Sequence, residues 1–142
     1  MQINKMRKRE GGFTLLEMMV VVMIIGLLAA MVVPNLMSNK GKADQKKTVA
    51  DIVALESALD MFNLDHDRYP AENEGLRVLV SGGEKLASGY IKRLPKDPWG
   101  HDYLYRNPGV NGVIDIYTLG QDEKEGGEGV AADIGNWNVT HF

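Results

Sequence analysis

The chain has 142 residues, 25% of them charged and 44% hydrophobic, so it is long enough for one domain and too apolar for wholesale disorder. It contains no cysteine, which excludes a disulfide framework, thiolate metal sites and cysteine nucleophiles. The net charge is -3, but beyond its basic first twelve residues the chain carries twelve Lys and Arg against eighteen Asp and Glu, and so lacks the basic surface that nucleic-acid binding requires.

The first predicted element is an apolar segment at residues 13–33, which follows a basic leader. A helix of this length spans roughly 31 Å, which matches the hydrocarbon core of a bilayer. An ordinary secretory signal is the alternative, but the run is too long, no clear A-x-A site closes it, and Glu17 lies within it. We expect a single-pass anchor with its leader in the cytoplasm and the chain after about Asn35 across the membrane.

Glu17 is the most informative residue of this segment. An unpaired carboxylate at that depth costs about 2.5–3.5 kcal/mol. Glu17 is therefore either stabilised at the interface by the helix N-terminus or paired with a cation from another subunit. Cleavage between Gly12 and Phe13 would create such a cation, because the new α-amino group would lie four residues before Glu17 at a similar membrane depth.

The basic leader, the run Gly12-Phe13-Thr14-Leu15-Leu16-Glu17 and the apolar stretch to Pro34 together resemble the class III signal of type IV pilins and related pseudopilins. The resemblance implies cleavage after Gly12 by a prepilin peptidase, N-methylation of Phe13 and a role for Glu17 in subunit registration. Residues 1–12 would be a cleaved leader, residues 13–34 a transmembrane and polymerisation helix, and residues 35–142 a periplasmic globular domain.

A helical pattern resumes after Pro34, which favours a kink at this proline over an end of the helix. A helix from about Phe13 to Leu64 would be roughly 78 Å long, with Gly41 as a point where it could bend, and Tyr69-Pro70 stops the pattern. Its second half is amphipathic. The apolar stripe consists of Val49, Ile52, Leu55, Leu59 and Phe62, widened by Val53, Ala58 and Met61.

The chain after Tyr69 is predicted to form loops and a small antiparallel sheet. Residues 75–80 indicate a short helix that ends at Ser81-Gly82-Gly83, and residues 103–106 and 113–119 indicate two strands joined by a hairpin connection. The predicted fold class is α+β, in which a long N-terminal helix with a membrane or filament half and an amphipathic half packs on this sheet in a pilin-like lollipop. Four aromatic residues are assigned to the core or the hairpin: Trp99, Tyr103, Tyr105 and Tyr117.

Residues 120–135 are an acidic, glycine-rich loop with Lys124 as its sole basic residue. The loop contains neither Cys nor His, so its ligands would all be oxygens. Any metal bound there would therefore be a hard cation, and calcium is the first choice. The spacing does not fit an EF-hand, and a solvated acidic loop is the alternative that the residues themselves leave open. The carboxylates are Asp122, Glu123, Glu125, Glu128 and Asp133.

The C-terminal half carries a second resemblance. Asp97-Pro98-Trp99-Gly100, residues 115–120 and residues 133–137 are similar to the signature of major pseudopilins of type II secretion. This resemblance implies calcium in the acidic loop, bound by the Leu119 carbonyl, Asp122 and Asp133. Some relatives carry two adjacent aspartates where this chain has Ala132 and Asp133, so Glu128 or a backbone oxygen would replace the missing carboxylate. An ordered loop would let Trp137 dock nearby.

The sequence offers little support for an enzyme. His66, His101 and His141 are isolated and predicted to lie on the surface, and no G-x-S-x-G, Walker A or H-E-x-x-H pattern is present. The resemblance instead implies a structural subunit that polymerises into the periplasmic pseudopilus of type II secretion and drives the export of folded proteins across the outer membrane.

Two alternatives share the N-terminal features. A type IV pilin for adhesion or twitching would have the same leader, but many such pilins close their C-terminal region with a disulfide, which this chain cannot form. An anchored binding module that does not polymerise would leave Glu17 unpaired in lipid. The implied partners are other copies of the chain, minor pseudopilins, the inner-membrane assembly platform, prepilin peptidase and the inner membrane itself.

Overall fold

The computed structural model describes residues 11–81 and 88–142, without the side chains of residues 33–38. Residues 1–10 of the predicted leader and the Gly82-Gly83 end of the predicted second helix therefore lie outside the described residues. The chain divides into two compact units, Met1–Ser38 and Asn39–Phe142. The helices are α1 (Leu15–His66), α2 (Val78–Ser81) and the 3-10 turns η1 (Gly75–Arg77), η2 (Gly129–Ala131) and η3 (Val139–His141); the strands are β1 (Leu104–Arg106), β2 (Asp115–Thr118) and β3 (Ile134–Gly135).

The backbone of α1 is helical over 52 residues, including Pro34. The alternative in which this proline ends the helix is therefore wrong. The helix ends at His66 rather than at Leu64, just before Asp67, which adopts a positive φ of 55°. Such a conformation cannot continue an α-helix, so the helix ends slightly before Tyr69-Pro70.

In the first unit, Leu15–Val32 is an 18-residue stretch of α1 with a mean hydropathy of 2.7. Its length and composition are sufficient to cross a membrane, and none of it is buried inside the molecule. Burying apolar surface is favourable by about 25 cal/mol per Å². These side chains consequently require lipid or other apolar helices around them.

In the second unit, α1 packs against the sheet and the short helices around one hydrophobic core. The predicted stripe is confirmed in its centre, but Val53 and Met61 are 46% and 57% exposed and do not widen it. The reason is the small size of the covering layer, because three short strands and α2 cover only a narrow strip of the helix. The core consists of Ile52, Leu55, Ala58, Leu59, Phe62, Leu76, Leu79, Tyr103, Ile114, Ile116 and Ile134.

The sheet is antiparallel throughout, in the order β1-β2-β3. β1 and β2 confirm the predicted strands but are shorter. β2 begins only at Asp115, because the carboxylate of this residue accepts the backbone N–H groups of Val110, Asn111 and Gly112. These bonds hold the connection as a compact loop and leave Val113 73% exposed instead of in a strand. Of the four predicted core or hairpin aromatics, Tyr103 is buried and the others are half-buried.

Candidate assembly and metal sites

The N-terminal site contains Gly12, Phe13 and Glu17 at the start of α1. Gly12 precedes the helix, and the Phe13 side chain is 81% exposed. Thr14 Oγ1 accepts the backbone N–H of Glu17 at 3.2 Å, which is the geometry of an N-cap. Sequence reasoning missed this role, although Thr14-x-x-Glu17 has the spacing of a capping box. The cap fixes the helix start immediately after the predicted cleavage point.

Asp133 is the centre of the candidate metal site. Its Oδ2 accepts the N–H of Gly126 at 2.8 Å. Its Oδ1 is buried and, among the described residues, has no hydrogen-bond partner. A buried acceptor without a donor is unfavourable, and a cation would satisfy it. Asp133 lines a cavity of about 180 Å³ together with Leu119, Glu125 and Asp115, which offer the oxygens that a hard cation prefers, and with the cationic Arg106.

The structure gathers some of the predicted metal ligands and separates others. Leu119 and Asp133 line the cavity, whereas Asp122 and Glu128 are exposed and are not among its described lining residues. Asp122 Oδ1 instead accepts the N–H of Lys124 at 3.3 Å. Glu125, which the sequence did not single out, lines the cavity. Within residues 11–81 and 88–142 no three His, Asp or Glu side chains form a metal-binding group, so a cation would also require backbone oxygens.

The acidic loop is fastened at both of its ends. The N–H of Gln121 donates to the Val130 carbonyl at 2.9 Å, which closes the loop. Its end docks on α1, where Gln45 Nε2 donates to the Gly129 carbonyl at 2.8 Å. A Cβ on Gly41 would lie 2.9 Å from Val130 Cγ1. An alanine at this position would therefore require the Val130 side chain to shift.

A buried carboxylate organises the turn before β1. Asp97 Oδ1 accepts the N–H groups of Trp99 and His101 at 3.1 and 2.7 Å, and its Oδ2 accepts the hydroxyl of Thr118 at 2.7 Å. The Nδ1 of His101 lies 3.2 Å from Oδ2, and its Nε2 lies 3.6 Å from a carboxylate oxygen of Glu123. His101 thus links the buried Asp97 to the acidic loop.

The surface assignment of two histidines is therefore wrong. His101 is half-buried between carboxylates, and half-buried His66 stacks on Phe62 with 4.1 Å between ring centroids. His141 is exposed, as predicted. Contacts with residues distant in sequence cause the difference: Glu123 in the case of His101 and Tyr90 in the case of His66.

Comparison with known proteins assigns these features to a family. The sequence profile of type II secretion system protein G matches residues 35–137, and that of the prokaryotic N-terminal methylation motif matches residues 7–33. The chain is 59% identical to the type II secretion system core protein G of Vibrio cholerae, over 99% of both chains. The chain belongs to the type II secretion system protein G family.

Further relatives of this protein G family agree over nearly the whole chain. The core protein G of Escherichia coli K12 is 53% identical over 93% of this chain and 94% of its own. The core protein G of Pseudomonas aeruginosa is 48% identical over 93% of this chain and 98% of its own.

A solved structure confirms the α+β fold class expected for a protein G. The major pseudopilin from the type 2 secretion system of enterohaemorrhagic Escherichia coli superimposes with a TM-score of 0.62 at 51% identity, over 75% of this chain and 97% of that one. The family consists of structural pseudopilin subunits and not of enzymes, and the matches favour a secretion pseudopilin over an adhesive or twitching pilin.

Proposed function

We propose that this chain polymerises into a periplasmic pseudopilus whose growth exports folded proteins across the outer membrane. The observation that carries the proposal is the stretch Leu15–Val32, which is apolar, helical and without any burial in the single chain. Such a surface is stable only in lipid or against neighbouring helices. Both environments occur in turn if the subunit first resides in the membrane and then enters a filament.

The membrane stage requires processing of the N-terminus. In this proposal the inner membrane holds the chain by a single pass with residues 35–142 in the periplasm, and a prepilin peptidase cleaves between Gly12 and Phe13. Phe13 is then N-methylated. Support comes from the methylation-motif match at residues 7–33 and from the position of the peptide bond, which precedes α1 and is exposed on both sides.

The filament stage uses Glu17 and the new amine of Phe13. The amine of one subunit pairs with the Glu17 carboxylate of its neighbour, which removes the energetic cost of an unpaired charge among apolar helices. The exposure of both residues in the single chain supports this pairing, since among the described residues neither side chain takes part in a hydrogen bond or an ion pair. Minor pseudopilins and the inner-membrane assembly platform are the further partners that a growing filament requires.

Calcium is the proposed ligand of the acidic loop. The Leu119 carbonyl and Asp133 would hold it, with further oxygens from the loop. Asp122 would join them by rotating away from the N–H of Lys124 and into the cavity. The buried Oδ1 of Asp133 supports this assignment, and the cavity lining favours Glu125 over Glu128 as the additional carboxylate. Bound calcium would supply order to a loop that buries little apolar surface of its own.

Complementation of a secretion-deficient strain tests the function. The full chain is expressed in a bacterium that lacks its own protein G, and exported enzyme in the medium is measured together with filaments sheared from the cells. We expect both to return with the intact chain, and neither with a Gly12→Leu variant that blocks cleavage. Export without any filament would contradict polymerisation, and filaments without export would contradict the role in secretion.

A further inference from the structure

A groove of about 390 Å³ on the second unit combines an apolar floor with two cations. It is lined by Arg77, Val80, Ser81, Arg93 and Leu94. Both arginine side chains are exposed, and in the described part of the chain neither takes part in an ion pair. Arginine is the side chain best suited to carboxylate recognition, because its planar guanidinium donates in a fixed fork. The groove is therefore suited to an acidic partner.

The backbone around this arginine groove is held in place. The carbonyl of Leu79 accepts the N–H groups of Tyr90 and Ile91 at 2.7 and 3.2 Å, which fastens the segment before Arg93 to α2. Gly89 makes this approach possible, since it has a φ of 72° and a Cβ there would lie 2.4 Å from the Val80 carbonyl oxygen. The backbone segments that carry Arg77 and Arg93 are consequently held next to each other by these hydrogen bonds.

The same chain carries an acidic surface without a complete set of partners. Glu123 and Glu128 are exposed in the acidic loop, and Glu128 takes part in no ion pair within the described residues. Glu128 also lies outside the lining of the candidate calcium cavity. The described ion pairs include none between this loop and the arginine groove within one molecule.

We propose that the acidic loop of one copy docks in the arginine groove of a neighbouring copy in the filament, with Glu123 and Glu128 facing Arg77 and Arg93. The inference rests on the proposed polymerisation. A second copy is the favoured occupant because every subunit supplies one groove and one loop of opposite charge. Two different patches of the same chain form a heterologous contact, which repeats along a filament without closing. Such charge pairs determine register and partner choice.

Disulfide trapping tests the contact directly, because the native chain has no cysteine. Full-length Arg93→Cys and Glu128→Cys chains are expressed together, and cells are oxidised before electrophoresis. We expect a disulfide-linked dimer with this pair and not with either variant alone. The matched control pairs Glu128→Cys with Leu64→Cys, a position that is 80% exposed outside the groove. Equal or greater yield in the control, or no dimer from the first pair in cells that form filaments, would overturn the proposal.

Charge exchange provides the second test. Arg77→Glu with Arg93→Glu should reduce sheared filaments by about tenfold, since two attractive pairs become repulsive, whereas Arg77→Lys with Arg93→Lys should retain most of them. Adding Glu123→Lys and Glu128→Lys to the reversed arginines should restore the filaments. Unchanged filament yield in the reversed variant would contradict the inference alone, while absent filaments with the intact chain would contradict the proposed polymerisation.

Discussion

The hydroxyl of Thr118 donates a 2.7 Å hydrogen bond to Oδ2 of Asp97, and both side chains are buried. This bond joins the end of β2 to the turn that precedes β1. The same turn places His101 against Glu123 of the acidic loop. Loss of this hydrogen bond should therefore destabilise both the sheet and the acidic loop.

Thr118→Val should lower the free energy of unfolding by about 1–3 kcal/mol, because it leaves a buried carboxylate oxygen and the N–H of Gly120 without their hydroxyl partner. Urea unfolding of a soluble fragment that begins at Asn39 measures this change. The exposed Thr140→Val serves as the matched control and should change stability by no more than about 0.5 kcal/mol. Equal effects of the two substitutions would contradict the role given to Thr118.

Removing the candidate cation should destabilise the acidic loop. Calcium at about 100-fold above its Kd should raise the Tm of the Asn39–Phe142 fragment by about 10 °C, and a chelator should reverse the rise. Asp133→Ala should abolish the calcium response and reduce filament assembly in the full chain. Glu128→Gln is the control and should retain the response, since Glu128 lies outside the cavity lining. A calcium response that persists in Asp133→Ala would contradict the site.

Glycine at position 120 should be required both for its positive φ and because a side chain there would clash with the neighbouring backbone. Its φ is 70°, and a Cβ would lie 2.8 Å from the Ala131 carbonyl carbon. Gly120→Ala should therefore cost more than Gly126→Ala, which has a φ of 92° but open space around its Cβ. We expect about 2–3 kcal/mol for the first and about 1 kcal/mol for the second, measured by urea unfolding. A reversed order would show that the close approach at position 120 is not limiting.

The ion pair between Arg68 and Glu74 should make the free energy of unfolding depend on pH. Hydrogen bonds from Arg68 and from the N–H of Ala71 lower the pKa of Glu74 from 4.5 to about 2. Its stabilising contribution is thus present above pH 4.5 and is lost as the pH falls towards 2. Because the pair is partly exposed, the contribution should be below about 1 kcal/mol. Thermal melting of wild type and Glu74→Gln from pH 7 to pH 2 should show their difference shrinking; a constant difference would refute this account.

The Glu17 carboxylate should matter for assembly and not for insertion. Glu17→Gln removes the negative charge but keeps the shape, so we expect normal membrane insertion and leader cleavage with at least tenfold fewer sheared filaments. Glu17→Asp keeps the charge and is the matched control. Filament yields that are equal in wild type and Glu17→Gln would contradict pairing with the Phe13 amine.

Sequence reasoning succeeded where apolar residues recur with the period of a helix, because such side chains must be buried on one face. The stripe from Ile52 to Phe62 is buried because its three- and four-residue spacing places these side chains on one helix face. Local patterns could not give the width of the covering sheet, and this width leaves Val53 and Met61 exposed. The fold class was predictable because such helical and strand patterns occur in separate parts of the chain.

The site was predictable only in part. The acidic loop was evident from composition, but loops lack periodicity, so the sequence could not show that Glu125 rather than Glu128 reaches the cavity with Asp133. The partners of Asp97 and His101 lie 21 and 22 residues away, at Thr118 and Glu123, and only folding brings them together. The N-cap of Thr14 was available from the capping-box spacing and was overlooked.

The cap at Thr14 limits how far a processed N-terminus can reach. Cleavage before Phe13 would leave the amine two residues ahead of Leu15, where the capped helix begins. Two extended residues span at most about 7 Å, little more than the 5.4 Å rise of one helical turn. A neighbour displaced by two turns would hold its carboxylate beyond that range. The Thr14 hydroxyl at the helix start would then limit the axial displacement between adjacent helices to about one helical turn.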